Sequence, residues 1–60
     1  MMIMEVALPN DQAWAFAEFL KRAGYNDYRQ LATSDDEAYA MQDAAEKVRA
    51  ALAEKGIAPR

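Results

Sequence analysis

The chain has 60 residues, with ten acidic and seven basic side chains that give a formal net charge of −3, and it contains no cysteine and no histidine. A chain this short forms one domain, over residues 1–60. It buries only about 60% of the surface that its unfolded form exposes, so a stabilising partner is expected. The composition rules out disulfides and thiolate metal sites, and it removes the commonest general base.

Charge also narrows the class of partner. The sequence pI is about 4.7, whereas proteins that bind nucleic acid directly usually carry a basic patch and a high pI. An acidic surface suits basic partners, among them proteins that themselves bind nucleic acid. No apolar run approaches the length of a membrane-spanning helix, and Met1–Glu5 has no basic residue of the kind that opens a signal peptide. We therefore expect a cytoplasmic protein that contacts neither nucleic acid nor a membrane directly.

The first residues predict a short strand over residues 2–8. Met4, Val6 and Leu8 form one apolar face with a period of two, and Pro9 ends the pattern because it has no N–H to donate. A strand needs a partner strand, and the chain has no second strand-like segment. Two interpretations stay open: the strand packs on the helices of its own chain, or it forms a ribbon between two copies.

The first helix is predicted over residues 11–23. Asn10 is a good N-cap, and Gly24 is the usual residue for a left-handed C-terminal cap. Trp14 lies roughly opposite the core face, so either the strand or the connector covers it, or it is an exposed anchor for a partner. After Gly24, Asn26 could cap a short helical turn over residues 27–32. At about 100° per residue, the core face of the first helix contains Ala13, Phe16, Ala17, Leu20 and Ala23.

The best-specified element is a long helix over residues 35–55. Ser34 and Glu37 predict a capping box, in which each side chain bonds the backbone N–H of the other residue, and Gly56 ends the helix. Residues 57–60 form a tail. The predicted fold is mainly α, a small α+β protein in which one N-terminal strand precedes two antiparallel helices with a short helical turn between them. The buried stripe of the long helix is predicted to contain Ala38, Met41, Ala45, Val48 and Leu52.

One face of the long helix is acidic. Residues 33–46 hold five acids and no base. The plain interpretation is helix capping and a solvated face. The functional interpretation is a surface that competes for the phosphate-binding groove of another protein, since such grooves recognise spaced negative charge. Tyr39 projects among these acids, and tyrosine is enriched in interface hot spots. The candidate partner-binding residues are Asp35, Asp36, Tyr39, Asp43, Glu46 and Trp14.

Catalytic and metal-binding functions find little support in the sequence. Asp36 and Asp43 share a helix face, but two carboxylates without a third ligand do not make a metal site. Ser34 has no base beside it, and no glycine-rich phosphate loop is present. We expect no enzyme, no cofactor and no bound metal.

Two resemblances bear on fold and function. The order of a strand, a Leu8-Pro9 turn, a helix and Gly24 resembles the ribbon-helix-helix dimers of DNA-binding repressors, but the strand holds no basic residue to read DNA. A closer resemblance is to a family of very small acidic proteins of bacteria and mobile elements, which implies no assigned chemistry. It rests on Asp11–Ala13, Phe19–Arg22, Asp27–Arg29, Asp35–Ala44 and the ending Gly56–Arg60.

Size and charge are also similar to those of anti-CRISPR proteins, several of which cover the DNA-binding surface of a surveillance complex. This resemblance implies a small acidic inhibitor that occludes or mimics DNA at the basic groove of a larger protein or ribonucleoprotein complex. The alternative is a structural or regulatory homodimer assembled through the N-terminal strand.

Overall fold

The computed structural model describes all 60 residues and contains three helices and no strand. Helix α1 spans Asn10–Arg22, α2 spans Tyr25–Leu31 and α3 spans Asp35–Glu54. Neither α3 nor the shorter helices combine the length and apolar character that a membrane-spanning helix needs.

The predicted strand over residues 2–8 is wrong, and the fold is all-helical rather than a small α+β fold. Residues 1–9 have no regular secondary structure, and no backbone hydrogen bond involves residues 1–8. The physical reason is the absence of a second strand to receive these N–H and C=O groups. Met4, Val6 and Leu8 instead line a groove together with side chains of α1 and α3. The ribbon-helix-helix topology therefore lacks its ribbon in this structure.

The turns on either side of α1 differ from the sequence prediction. Pro9, not Asn10, holds the N-cap position of α1, and its carbonyl accepts the Ala13 N–H at 3.0 Å. Gly24 has φ −120° and ψ 180°, so its backbone is extended and not left-handed. Its N–H donates to Asp27 Oδ2 at 2.8 Å. Gly24 thus caps the start of α2, which begins at Tyr25 rather than at residue 27.

Helix α3 has a specific hydrogen-bonded start and end. The Glu37 N–H donates to Ser34 Oγ at 3.1 Å, while the Glu37 carboxylate accepts the Thr33 N–H at 3.0 Å rather than that of Ser34. At the other end Gly56 has φ +86°, a left-handed conformation that disfavours any side chain. The Ile57 N–H then donates to the Leu52 carbonyl at 2.9 Å, which closes the last turn.

The fully packed core is small and built mainly of alanine. Only four of the 60 residues are buried. Residues of the first half of α1 line the same groove as Val48 and Leu52, and residues of its C-terminal end line a recess with Gln42 and Ala45. The two long helices are therefore antiparallel, with small side chains between them. The buried residues are Ala13, Ala17, Leu20 and Ala38.

The predicted apolar stripes extend beyond this core. Met41, Ala45 and Leu52 are half-buried, whereas Phe16 keeps 43% of its surface exposed and Val48 keeps 37%. The Cα radius of gyration is 12.2 Å, against roughly 10.4 Å for a compact chain of this length. The molecule is therefore more open than a closed globule, and part of each stripe has no partner within the chain.

The packing around Ala38 can be tested by enlarging its side chain. Ala38 has no exposed surface, so Ala38→Leu would push apart the elements around it and lower the free energy of unfolding by about 1–3 kcal/mol. Ala50 is exposed on the same helix, and Ala50→Leu is the matched control, with an expected change within about 0.5 kcal/mol. Urea unfolding followed by circular dichroism measures both. Equal stability of the two variants would contradict the proposed alanine packing.

Candidate interaction surface

Asp35, the first residue of the acidic segment, is engaged inside the molecule. Its Oδ1 accepts the Arg29 Nε–H at 2.6 Å and the Tyr25 hydroxyl at 3.1 Å. These contacts fasten α2 to the start of α3. The hydrogen bond from Arg29, and then that from Tyr25, holds the pKa of Asp35 below its usual value. Desolvation, followed by the hydrogen bond to Asp35, raises the pKa of the Tyr25 phenol.

Tyr39 is partly covered by α2. Its ring lies against that of Tyr25, with 4.9 Å between the ring centroids and 35° between the planes. The side chain still exposes 56% of its surface. Tyr39 therefore remains accessible to a partner on one side, while its other side helps to dock α2.

Asp36, Asp43 and Glu46 are exposed and unpaired. The spacing along the helix predicts ion pairs of Asp43 with Lys47 and of Glu46 with Arg49. Neither pair forms, since the structure contains only two salt bridges, Glu18–Arg22 and Arg29–Asp35. The face defined by Asp36, Tyr39, Asp43 and Glu46, here called the acidic face, thus carries three carboxylates without a cationic partner.

Trp14 lies on a different helix from the acidic face. It lies on α1 and exposes 43% of its surface, and it lines neither the groove beside Phe16 nor the recess beside Glu46. The N-terminal segment does not bury it fully. The structure thus leaves Trp14 available for contact but does not join it to the carboxylates.

The largest cavity is one that sequence reasoning missed. It is an open groove of about 690 Å³ between the N-terminal segment, α1 and α3, and we call it the apolar groove. Its lining has one polar residue, Gln12, and no charged residue. The signal was present in the sequence, because Phe16 and Val48 belong to the predicted stripes and Met4, Val6 and Leu8 form an apolar face. The complete lining is Met4, Val6, Leu8, Gln12, Ala15, Phe16, Val48 and Leu52.

No group of three or more acidic, histidine or cysteine side chains is placed so that it could hold a metal ion. Two recesses combine polar and apolar groups. One, of about 70 Å³, places Glu46 near Tyr28 and Arg49, and the other, of about 330 Å³, places Arg22 and Asp27 beside Phe19. The arrangement offers two surfaces for contact, the acidic face and the apolar groove.

The link between α2 and α3 makes a pH-dependent prediction. The folded-state pKa of Asp35 is depressed, so its stabilising contribution is present above its unfolded pKa of about 3.9. That contribution is lost as the pH falls through the folded value. Asp35→Asn should therefore lose less thermal stability than the wild type between neutral and strongly acidic pH. The matched control is Asp36→Asn, which removes a neighbouring carboxylate outside both salt bridges. If both variants follow the wild-type acid profile of Tm, Asp35 does not have this role.

Comparison with known proteins supports membership of a family. No curated protein and no solved structure gave a significant match. The model of DUF7706, described as a family of unknown function, matches residues 1–60. The match covers the whole chain, so this protein belongs to the DUF7706 family.

Proposed function

We propose that this protein is a small protein-binding module that inhibits its target by placing α3 on a basic groove, in the manner of anti-CRISPR inhibitors that occlude or mimic DNA. The observation that carries the proposal is the set of three exposed carboxylates without ion pairs, Asp36, Asp43 and Glu46. An unpaired exposed carboxylate keeps its full charge available for a cationic partner.

The geometry of the acidic face suits an extended basic groove. From Asp36 to Glu46 the helix rises by about 15 Å, so the carboxylates follow a line rather than cluster at a point. Tyr39 lies between them and keeps 56% of its surface exposed, which allows an aromatic contact at the centre of the interface. The expected partner is a larger protein or ribonucleoprotein complex whose lysine and arginine side chains normally hold phosphates.

The proposal gives Asp35 a supporting role. Its carboxylate is already bonded to Arg29 and Tyr25, so it contributes less free charge to a partner than its position in the sequence predicts. It instead holds α2 against α3 and so fixes the ring of Tyr25 beside Tyr39. Trp14 would join the interface only if the partner also reaches α1.

The test is a charge reversal that leaves helix capping intact. Asp43→Lys combined with Glu46→Lys alters two residues in the middle of α3, away from the first turn where acids stabilise the helix. Affinity-capture from the native cell identifies the target, and the assay measures how much labelled DNA duplex the purified target binds in the presence of the protein. We expect the variant to inhibit at least about tenfold less well, and wild-type inhibition to weaken as salt is raised.

The matched control combines Glu5→Lys with Glu18→Lys. It changes the net charge by the same amount but lies outside the acidic face. The ion pair of Glu18 with Arg22 is solvent-exposed, so its loss costs little stability. If the control loses inhibition as completely as the α3 variant, only net charge matters. If the folded α3 variant inhibits as well as the wild type, the acidic face is not the binding surface.

A further inference from the structure

The residues in and around the apolar groove leave large apolar side chains exposed to solvent. Met4 and Val6 expose 68% and 66% of their surfaces. Phe16 lines the groove, and Phe19 stacks on it with 5.7 Å between the ring centroids. These two rings, the Phe16–Phe19 ridge, border the groove, and Phe19 is 54% exposed. The molecule thus carries an apolar ridge directly beside an apolar hollow.

The area of uncovered surface has the size of one side of a protein interface. The accessible surface of the chain is 5049 Å², whereas a folded monomer of its 6.7 kDa mass is expected to expose about 3,900 Å². The excess is about 1,100 Å². A standard interface buries about 800 Å² on each partner, and homodimers often bury more. The excess over the whole chain is therefore large enough for one association of standard size.

Charge indicates which occupant fits. The lining of the groove contains no charged side chain, so the apolar ridge of a second chain of net charge −3 meets no carboxylate of the groove lining. At about 100° per residue, Val48 and Leu52 lie on the side of α3 away from Asp43 and Glu46, so the acids of both copies remain in solvent. In a two-fold contact the same patch serves both copies, which a neighbouring ridge and hollow allow.

We propose that a second copy of this chain covers the apolar groove, in a two-fold symmetric dimer in which the Phe16–Phe19 ridge of each copy enters the groove of the other. The contact is made by side chains, and it requires no strand in residues 1–9. This dimer goes beyond the proposed inhibitory function, because it uses the opposite side of α3 and leaves the acidic face free.

The first measurement is the mass of the purified full chain in solution, by sedimentation equilibrium over a wide range of concentrations. We expect a dimer of two 6.7 kDa chains that dissociates on dilution. A monomer at every concentration would overturn the proposal. So would open-ended association without a discrete dimer, because a two-fold contact closes on itself.

Two variants locate the contact. Val48→Glu places a carboxylate in the groove of each copy, at a position already 37% exposed, and should raise the dimer dissociation constant at least about tenfold. Gln12→Glu does the same in the first turn of α1, where an acid favours the helix, so loss of fold is not expected. Leu31→Glu is the matched control, since Leu31 is 82% exposed on α2 and lies outside the groove. Its dissociation constant should equal that of the wild type.

The remaining outcomes are distinguishable. If folded Val48→Glu and Gln12→Glu both dimerise like the wild type, the dimer uses another surface and the proposal fails. If the chain is monomeric and nuclear Overhauser contacts join Met4 or Val6 to Leu52 with the groove closed, its own N-terminal segment is the occupant. If it is monomeric and binds an apolar dye in the groove, the occupant is a different molecule. The Asp43→Lys, Glu46→Lys variant should still dimerise, which separates this test from that of the inhibitory function.

Discussion

The packing of α1 and α2 on α3 around buried alanines is the constraint on which the rest of this structure depends. Ala17 and Ala38 expose no surface and Ala13 only 7%, and Leu20 is the one large side chain that is buried with them. A contact of this kind fixes the helices closely, but it removes little apolar area from water for each residue that it orders. The larger apolar side chains, Phe16 and Val48, lie at the edge of this packing and keep 43% and 37% of their surfaces exposed.

The short helix α2 then decides how the surface of α3 is divided. It begins where Gly24 and Asp27 bond, and Arg29 and Tyr25 hold it to Asp35. The ring of Tyr25 covers one side of Tyr39, so α2 occupies one flank of α3. Asp43 and Glu46 remain outside the salt bridges, and the apolar residues Val48 and Leu52 face the groove. One helix thereby presents a charged surface and an apolar surface on opposite sides, and a partner on one need not displace a partner on the other.

The sequence predicted the two long helices and their facing stripes, because capping residues and a period of 3.6 are local signals. The prediction failed where the conformation of a segment depends on the groups that pack or bond beside it. The alternation of Met4, Val6 and Leu8 is typical of a strand, yet a strand requires a neighbour that this chain lacks. Gly24 suggested a left-handed cap, but the carboxylate of Asp27 offered its N–H a better partner at 2.8 Å. The ion pair of Asp35 with Arg29 could not be predicted either, because the turn between α2 and α3 brings the two residues together.

The same reasoning explains why the apolar groove was missed while its residues were identified. Phe16, Val48 and Leu52 were assigned to the core because they continue the stripes of Ala17 and Ala38, and periodicity cannot say how far a stripe is covered. Coverage depends on what packs across the stripe, and here that is the first half of α1 and an irregular N-terminal segment. Both reach Val48 and Leu52, but they leave an open groove beside them. An apolar stripe that no other part of the chain covers is therefore a signal of association. If a second copy of the chain covers it, the stability of the fold rises with protein concentration.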